Sequence, residues 1–219
     1  MQRILRENGL SIVLFALFLL ILAGQSVAGH RHYNDEQQDH GQQTVGYAEY
    51  LTTGNFLEVT MENWESEFLQ MAIFVVFTIF LYQKGSAESK SPYEPEEVDR
   101  EPDPNAPGAP WPVRKGGWIL KLYENSLSLA LFLLFVISFW LHAVGGARDY
   151  SEEQLVHGGQ AVTTLGYFAT SRFWFESLQN WQSEFLSIGV MVVFTIFLRQ
   201  KGSPESKPVD SPHSKTGSC

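Results

Sequence analysis

Cysteine is nearly missing from this chain, with one in 219 residues, Cys219 at the last position. That excludes an intrachain disulfide, a CxxC redox pair and any multi-cysteine metal site. Positive charge is also scarce: 15 Lys+Arg stand against 24 Asp+Glu, for a net charge of −9. No Lys/Arg patch of the kind that holds a phosphate backbone is present, so nucleic acid is not an expected partner. Neither G-x-S-x-G, a P-loop nor G-x-G-x-x-G occurs. We therefore assign no catalytic residue and no cofactor, and expect a protein that is not an enzyme. Ser11 and Ser128 open apolar runs, where a hydroxyl bonds a backbone carbonyl more readily than it attacks a substrate. Proline is confined: seven of the ten lie between residues 86 and 112.

What the chain does contain, it contains twice. The box 63–69 (Asn-Trp-Glu-Ser-Glu-Phe-Leu) returns at 180–186 as Asn-Trp-Gln-Ser-Glu-Phe-Leu. Val-Val-Phe-Thr-Ile-Phe-Leu stands at 75–81 and again at 192–198, and Gln-Lys-Gly-Ser at 83–86 and 200–203. The offset of 117 holds without a gap from the pair Glu7/Glu124 to the pair Lys90/Lys207, with roughly 40 of the 84 paired positions identical. A tandem duplication accounts for this.

A near-zero mean hydropathy hides four apolar runs set in polar, acidic surroundings. Residues 10–28 as a helix measure roughly 28 Å, close to the hydrocarbon thickness of a bilayer. The basic start and Ser26-Val27-Ala28 also match a secretory signal peptide. The second copy decides for an uncleaved helix, because its equivalent run, 127–144, lies mid-chain. Residues 68–82 give only about 22 Å and need helix from Trp64 to span. The fold class expected is therefore an all-α integral membrane protein with four transmembrane helices, arranged as two tandem parallel two-helix repeats. Repeat one covers 1–91, with spans at about 10–28 and 64–82. Repeat two covers 116–208, with spans at about 127–144 and 181–198. Short helical outer connections join the spans, one of them starting at 34–38 with Asn34 as N-cap. A Pro-rich acidic linker, 92–115, and a tail, 209–219, are expected to be disordered. Trp64, Tyr82, Trp118, Trp140 and Trp181 form the interfacial aromatics.

Basic residues are sided. Arg3, Arg6, Lys84, Lys90, Arg100, Arg114, Lys115, Lys121, Arg199, Lys201, Lys207 and Lys215 fall on one face of the four-span arrangement, and Arg31, Arg148 and Arg172 on the other. The positive-inside rule makes the first face cytoplasmic, with both termini on it.

The start Glu7-Asn8-Gly9-Leu10-Ser11, the paired Asn-Trp-x-Ser-Glu-Phe-Leu boxes and the Lys-Gly-Ser-x-Glu-Ser-Lys closures resemble a family of bacterial membrane proteins, the DUF6766 type, over nearly the whole chain. The resemblance implies a bacterial inner-membrane location. The family carries no known activity, ligand or catalytic residue, so it implies nothing about mechanism.

Two sets of residues invite chemistry. Glu67 and Glu184 sit about one turn inside the outer ends of spans two and four, where a carboxylate must face protein or water. Structural ion pairs with Arg31 and Arg148 are one reading, and a polar seam carrying cations or protons is the other. Glu36 and His40, matched by Glu153 and His157, form two E-x-x-x-H sets whose side chains share a helix face. Together they are candidates for a metal site, although Gly41 and Gly158 follow the histidines and mark helix ends. His30 and His32 have no partner in the second copy. His142 lies inside span three, opposite Gln25 of the first copy, and is a candidate haem ligand. The function expected is a non-enzymatic structural or interaction protein of the bilayer, assembling with itself or with a membrane partner. The alternatives are a small cation or proton transporter using Glu67 and Glu184, and a metal- or haem-binding redox protein.

Overall fold

The computed structural model describes residues 2–217, and among them every regular element is helical. The long helices are α1 (Gln2–Asp39), α3 (Gly54–Phe80), α6 (Ser126–Val156) and α8 (Ser171–Phe197). Short helices connect them: α2 (Tyr47–Tyr50), α4 (Trp111–Lys115), α5 (Gly117–Glu124) and α7 (Thr164–Tyr167). No proline precedes Pro92, so nothing interrupts the backbone ladder of α1 or α3. Asn8 leaves helical geometry (φ −128°, ψ 15°), and its side-chain amide donates to the Ile4 carbonyl at 3.3 Å. Asn125 ends α5 in the same manner, donating to the Lys121 carbonyl at 2.8 Å.

Among the described residues three helices are long and apolar enough to cross a membrane: the stretch Arg3–Asp39, α6 and α8. This corrects the expectation of four. Helix α3 has the length, but it begins at Gly54 rather than near Trp64. Its first half carries Glu58, Glu62, Glu65 and Glu67, and Gln70 shortens the apolar remainder further. The apolar side chains of α1 from Leu10 to Ile21 are exposed, the arrangement of a lipid-facing surface.

The chain divides into two compact units. One gathers the residues up to Met61 with Trp140–Phe173. In it α1 runs unbroken through the expected helix start at 34–38. Asn34 is therefore no N-cap: its amide group donates to the Val45 carbonyl at 3.0 Å and accepts from the Val45 nitrogen at 2.8 Å. His30 bonds the same carbonyl at 2.8 Å, and Ser26 meets the Tyr47 hydroxyl at 2.7 Å, so the loop after α1 is pinned back along it. Ser151 holds the loop after α6 likewise, through the Val162 nitrogen at 3.0 Å.

The second unit gathers Glu62–Phe139 with the residues from Trp174 onward. Here the linker and the tail, expected without structure, make specific contacts. Residues 92–110 hold one 3-10 turn, Glu97–Asp99, closed by a capping box and by an ion pair between Lys90 and Asp99. The tail folds back on the turn at Gly85: the Gly85 nitrogen donates to Thr216 Oγ1 at 2.9 Å, and the Gly217 nitrogen to the Ser86 carbonyl at 2.9 Å. Composition alone is blind to the contacts of the tail, because their partners lie more than a hundred residues away.

Candidate functional site

In the first unit the start of α3 and the end of α6 approach to backbone contact. Glycine makes this possible. A Cβ on Gly145 would lie 2.5 Å from the Glu58 nitrogen, and one on Gly54 would lie 2.7 Å from the Gly145 carbonyl oxygen. Small residues that let backbones close up are the common device of helix packing in membranes. The approach carries Glu58 into the interior, where it is 2% exposed. A carboxylate that deep is costly unless donors reach it. The Tyr167 hydroxyl donates to Glu58 Oε1 at 2.7 Å, and Arg172 Nη2 lies 3.6 Å from Oε2. Tyr167 is itself fully buried, its ring laid on Gly146, where a Cβ would sit 2.3 Å from it.

Arg172 is the second residue of α8. Its fork donates to Asp149 at 2.8 Å and to Glu153 at 2.6 Å, and the guanidinium lies over the Tyr150 ring at 5.7 Å. Asp149 and Glu153 stand at i and i+4 on α6, so one face presents both carboxylates to one fork. The side chains of these acids differ in exposure: 51% for Glu153, 14% for Asp149 and 3% for Glu58. The series ends on His142, a fully buried residue of α6 stacked on Phe173 at 4.9 Å between ring centroids. A His142 ring nitrogen and a Glu58 carboxylate oxygen lie within 4.8 Å of each other. A carboxylate and an imidazole so placed can pass a proton between them or hold a small cation.

The residues singled out from sequence fall in different places. Arg31 and Arg148 are exposed, and neither takes part in a described ion pair. Glu67 is exposed and Glu184 half-buried, and the two carboxylates lie within coulombic range of each other. The ion pairs described in the first unit centre instead on Arg172, which opens α8 facing two acids already aligned on α6. Of the E-x-x-x-H sets, the imidazoles of His40 and His157 meet at 5.7 Å between centroids. Their acids are engaged elsewhere: Glu36 with His32 at 3.6 Å, and Glu153 with Arg172. Haem ligation by two buried histidines is not supported, since among the described residues the five histidines other than His142 are exposed or half-buried. Trp118, Trp140 and Tyr82 are exposed, and Tyr82 lies beyond the end of α3. Trp64 and Trp181 are half-buried, and Trp181 packs among Phe135, Phe139 and Trp174.

Glu58, Tyr167 and the role of Arg172 were missed, although the sequence holds a signal for two of them. Glu58 stands where the second copy has Phe175, Arg172 where the first has Asn55, and His142 where the first has Gln25. The centre is built largely where the copies disagree.

Among the described residues every regular element is helical, three helices are fit to cross a bilayer and one of them carries a fully buried histidine, the make-up of a membrane protein. The chain belongs to the family described as Domain of unknown function (DUF6766), whose model matches residues 1–218. No curated protein and no solved structure is matched by it.

Proposed function

We propose that this is a multi-pass protein of the bacterial inner membrane that takes up protons or small cations at the Glu58–His142 centre and catalyses no covalent chemistry. One observation carries the reading: a fully buried histidine on a candidate span stands beside a buried glutamate, approached through acids of falling exposure. Ionisable groups at such positions are expensive in a bilayer and mark ion or proton paths. Arg172 sets the order of the series by holding Asp149 and Glu153 near the entrance. Two tandem parallel repeats provide the frame. What supports this is a set of hydrogen bonds recurring at the 117-residue offset: Thr53 and Thr170 donate to the carbonyls of Tyr50 and Tyr167, and Ser89 and Ser206 accept from the nitrogens of Gln83 and Gln200.

The test is flux in proteoliposomes under an imposed pH or cation gradient. Wild-type protein is expected to dissipate the gradient, and Glu58→Gln and His142→Gln to abolish the flux while remaining folded. Wild-type vesicles as tight as empty ones sink the reading. A second reading, a structural protein that assembles with itself or with a membrane partner, draws on the tight Gly54–Gly145 approach. Under it the same charges only staple helices, Glu58→Gln lowers the melting temperature in detergent, and no flux is seen in any variant.

A further inference from the structure

We propose that His40 and His157 form an exchangeable site for a divalent transition-metal ion where α1 and α6 end. The site is separate from the Glu58–His142 centre and does not depend on it. The two residues are 117 apart in sequence, yet their rings lie 5.7 Å apart between centroids, at an interplanar angle of 77°. Metal–nitrogen bonds of about 2.0–2.1 Å put the centroids of two imidazoles sharing one ion roughly 5–6 Å apart. The observed separation falls inside that range.

One of the two rings is already oriented by the backbone. His157 Nδ1 lies 2.9 Å from the Glu153 carbonyl oxygen. A carbonyl can only accept, so Nδ1 carries the proton and donates it, leaving the Nε2 lone pair for a ligand. This arrangement fixes tautomer and ring orientation in protein metal sites. The backbone holds both rings at helix tips: the His40 and His157 nitrogens bond the Glu36 and Glu153 carbonyls, and Gly41 (φ +68°) and Gly158 (φ +78°) then turn the chain away. Few residues other than glycine adopt that conformation.

Both histidines are exposed, so water can complete the coordination and the ion can exchange. Two imidazoles with water select borderline ions such as Zn²⁺, Cu²⁺ and Ni²⁺ over Mg²⁺ and Ca²⁺, which prefer oxygen. The ion would tie the end of α1 to the end of α6.

The experiment is titration of the full chain, free of any histidine tag, with Zn²⁺ or Cu²⁺ alone in detergent. Expected are one ion per chain, a rise in melting temperature on binding, and affinity at least tenfold weaker in both His40→Ala and His157→Ala. The exposed positions keep these variants folded. The electron-paramagnetic spectrum of bound Cu²⁺ should show coupling to two imidazole nitrogens. Absence of binding by the wild type, unchanged affinity in either variant, or coupling to a single imidazole each overturns the proposal.

Discussion

Replacing Gly145 by alanine adds one methyl group, placed 2.5 Å from the Glu58 nitrogen and 2.9 Å from its Cα. Backbone cannot swing aside as a side-chain tip can, so α3 and α6 must separate. Overpacking of this kind costs about 1–3 kcal/mol. Gly24→Ala, whose added Cβ meets nothing within 4 Å, should melt like the wild type, and thermal unfolding in detergent compares the two. Tyr167→Phe tests the same centre without crowding it. The buried Glu58 oxygen loses a donor at 2.7 Å, at a cost of about 1–3 kcal/mol by the same measurement. None of this was legible from local pattern. Glu58 counted as one acid among several, and Tyr167 lies in a stretch without helical periodicity. Burial arises from the close approach at Gly54 and Gly145, a tertiary event with no mark in composition. What local sequence does mark is divergence between the copies, at Glu58, His142 and Arg172.

At the scale of elements, the long helices were readable from their apolar runs and glycine stops, but the short ones were not: the helix start expected at 34–38 lies inside α1, and α4 falls in the segment expected to be disordered. Helix α3 includes Trp64, as a span there requires, but Glu65, Glu67 and Gln70 leave its apolar part too short and too polar to count as one. In the tail, one lysine makes contacts that composition does not foretell. Lys207 is 1% exposed, and its ammonium donates to the carbonyls of Lys215 at 2.9 Å, His213 at 3.1 Å and Pro212 at 3.3 Å, and to that of Gly85. Burial pushes this ammonium below the usual lysine range, with the charges of Arg199 and Lys215 adding to the effect. Lys207→Met keeps the stem and removes every donor, so the tail should detach and be cut faster within residues 208–217 by limited proteolysis. An unchanged cleavage rate would show that the tail is held by its other contacts. In the linker, the hydrogen bond between Lys90 and Asp99 holds the Asp99 carboxyl below its ordinary 3.8 and Lys90 above its ordinary 10.5. A depressed acid contributes above its unfolded value and fades as pH falls through the folded one. A raised lysine contributes below 10.5 and fades as pH rises past it. The clasp should therefore stand from mild acid to about pH 10 and open at both extremes. NMR titration of the Asp99 carboxyl should show a midpoint below 3.8 that returns toward that value in Lys90→Met.

For the whole molecule, two lines of reasoning about membrane topology meet and disagree. Composition finds three helices able to cross, and an odd number of crossings puts the first and last segments on opposite faces. Charge points the other way. Arg3 and Arg6 precede the apolar part of α1, and Arg199, Lys201, Lys207 and Lys215 follow α8, while Arg31, near the end of α1, is the one basic residue between Arg6 and Lys84. Lys and Arg close to span ends set orientation because moving them across the bilayer during insertion is disfavoured. Apolarity of one helix taken alone is the weaker guide here, since a polar helix face is tolerated in a bilayer wherever it packs on protein. Charge thus asks for an even number of crossings where composition finds three. If charge decides, reporter fusions after Lys90 and after Lys215 report the cytoplasmic face, and fusions near Gly46 and Thr163 the opposite one. Moving charge tests the cause: replacing Arg3 and Arg6 by Gln should weaken the orientation of the first span and give a mixed signal at Gly46. If Lys215 reports the face opposite to Arg6 while Gly46 and Lys90 report the same face, then α3 does not cross, and charge has not decided the topology.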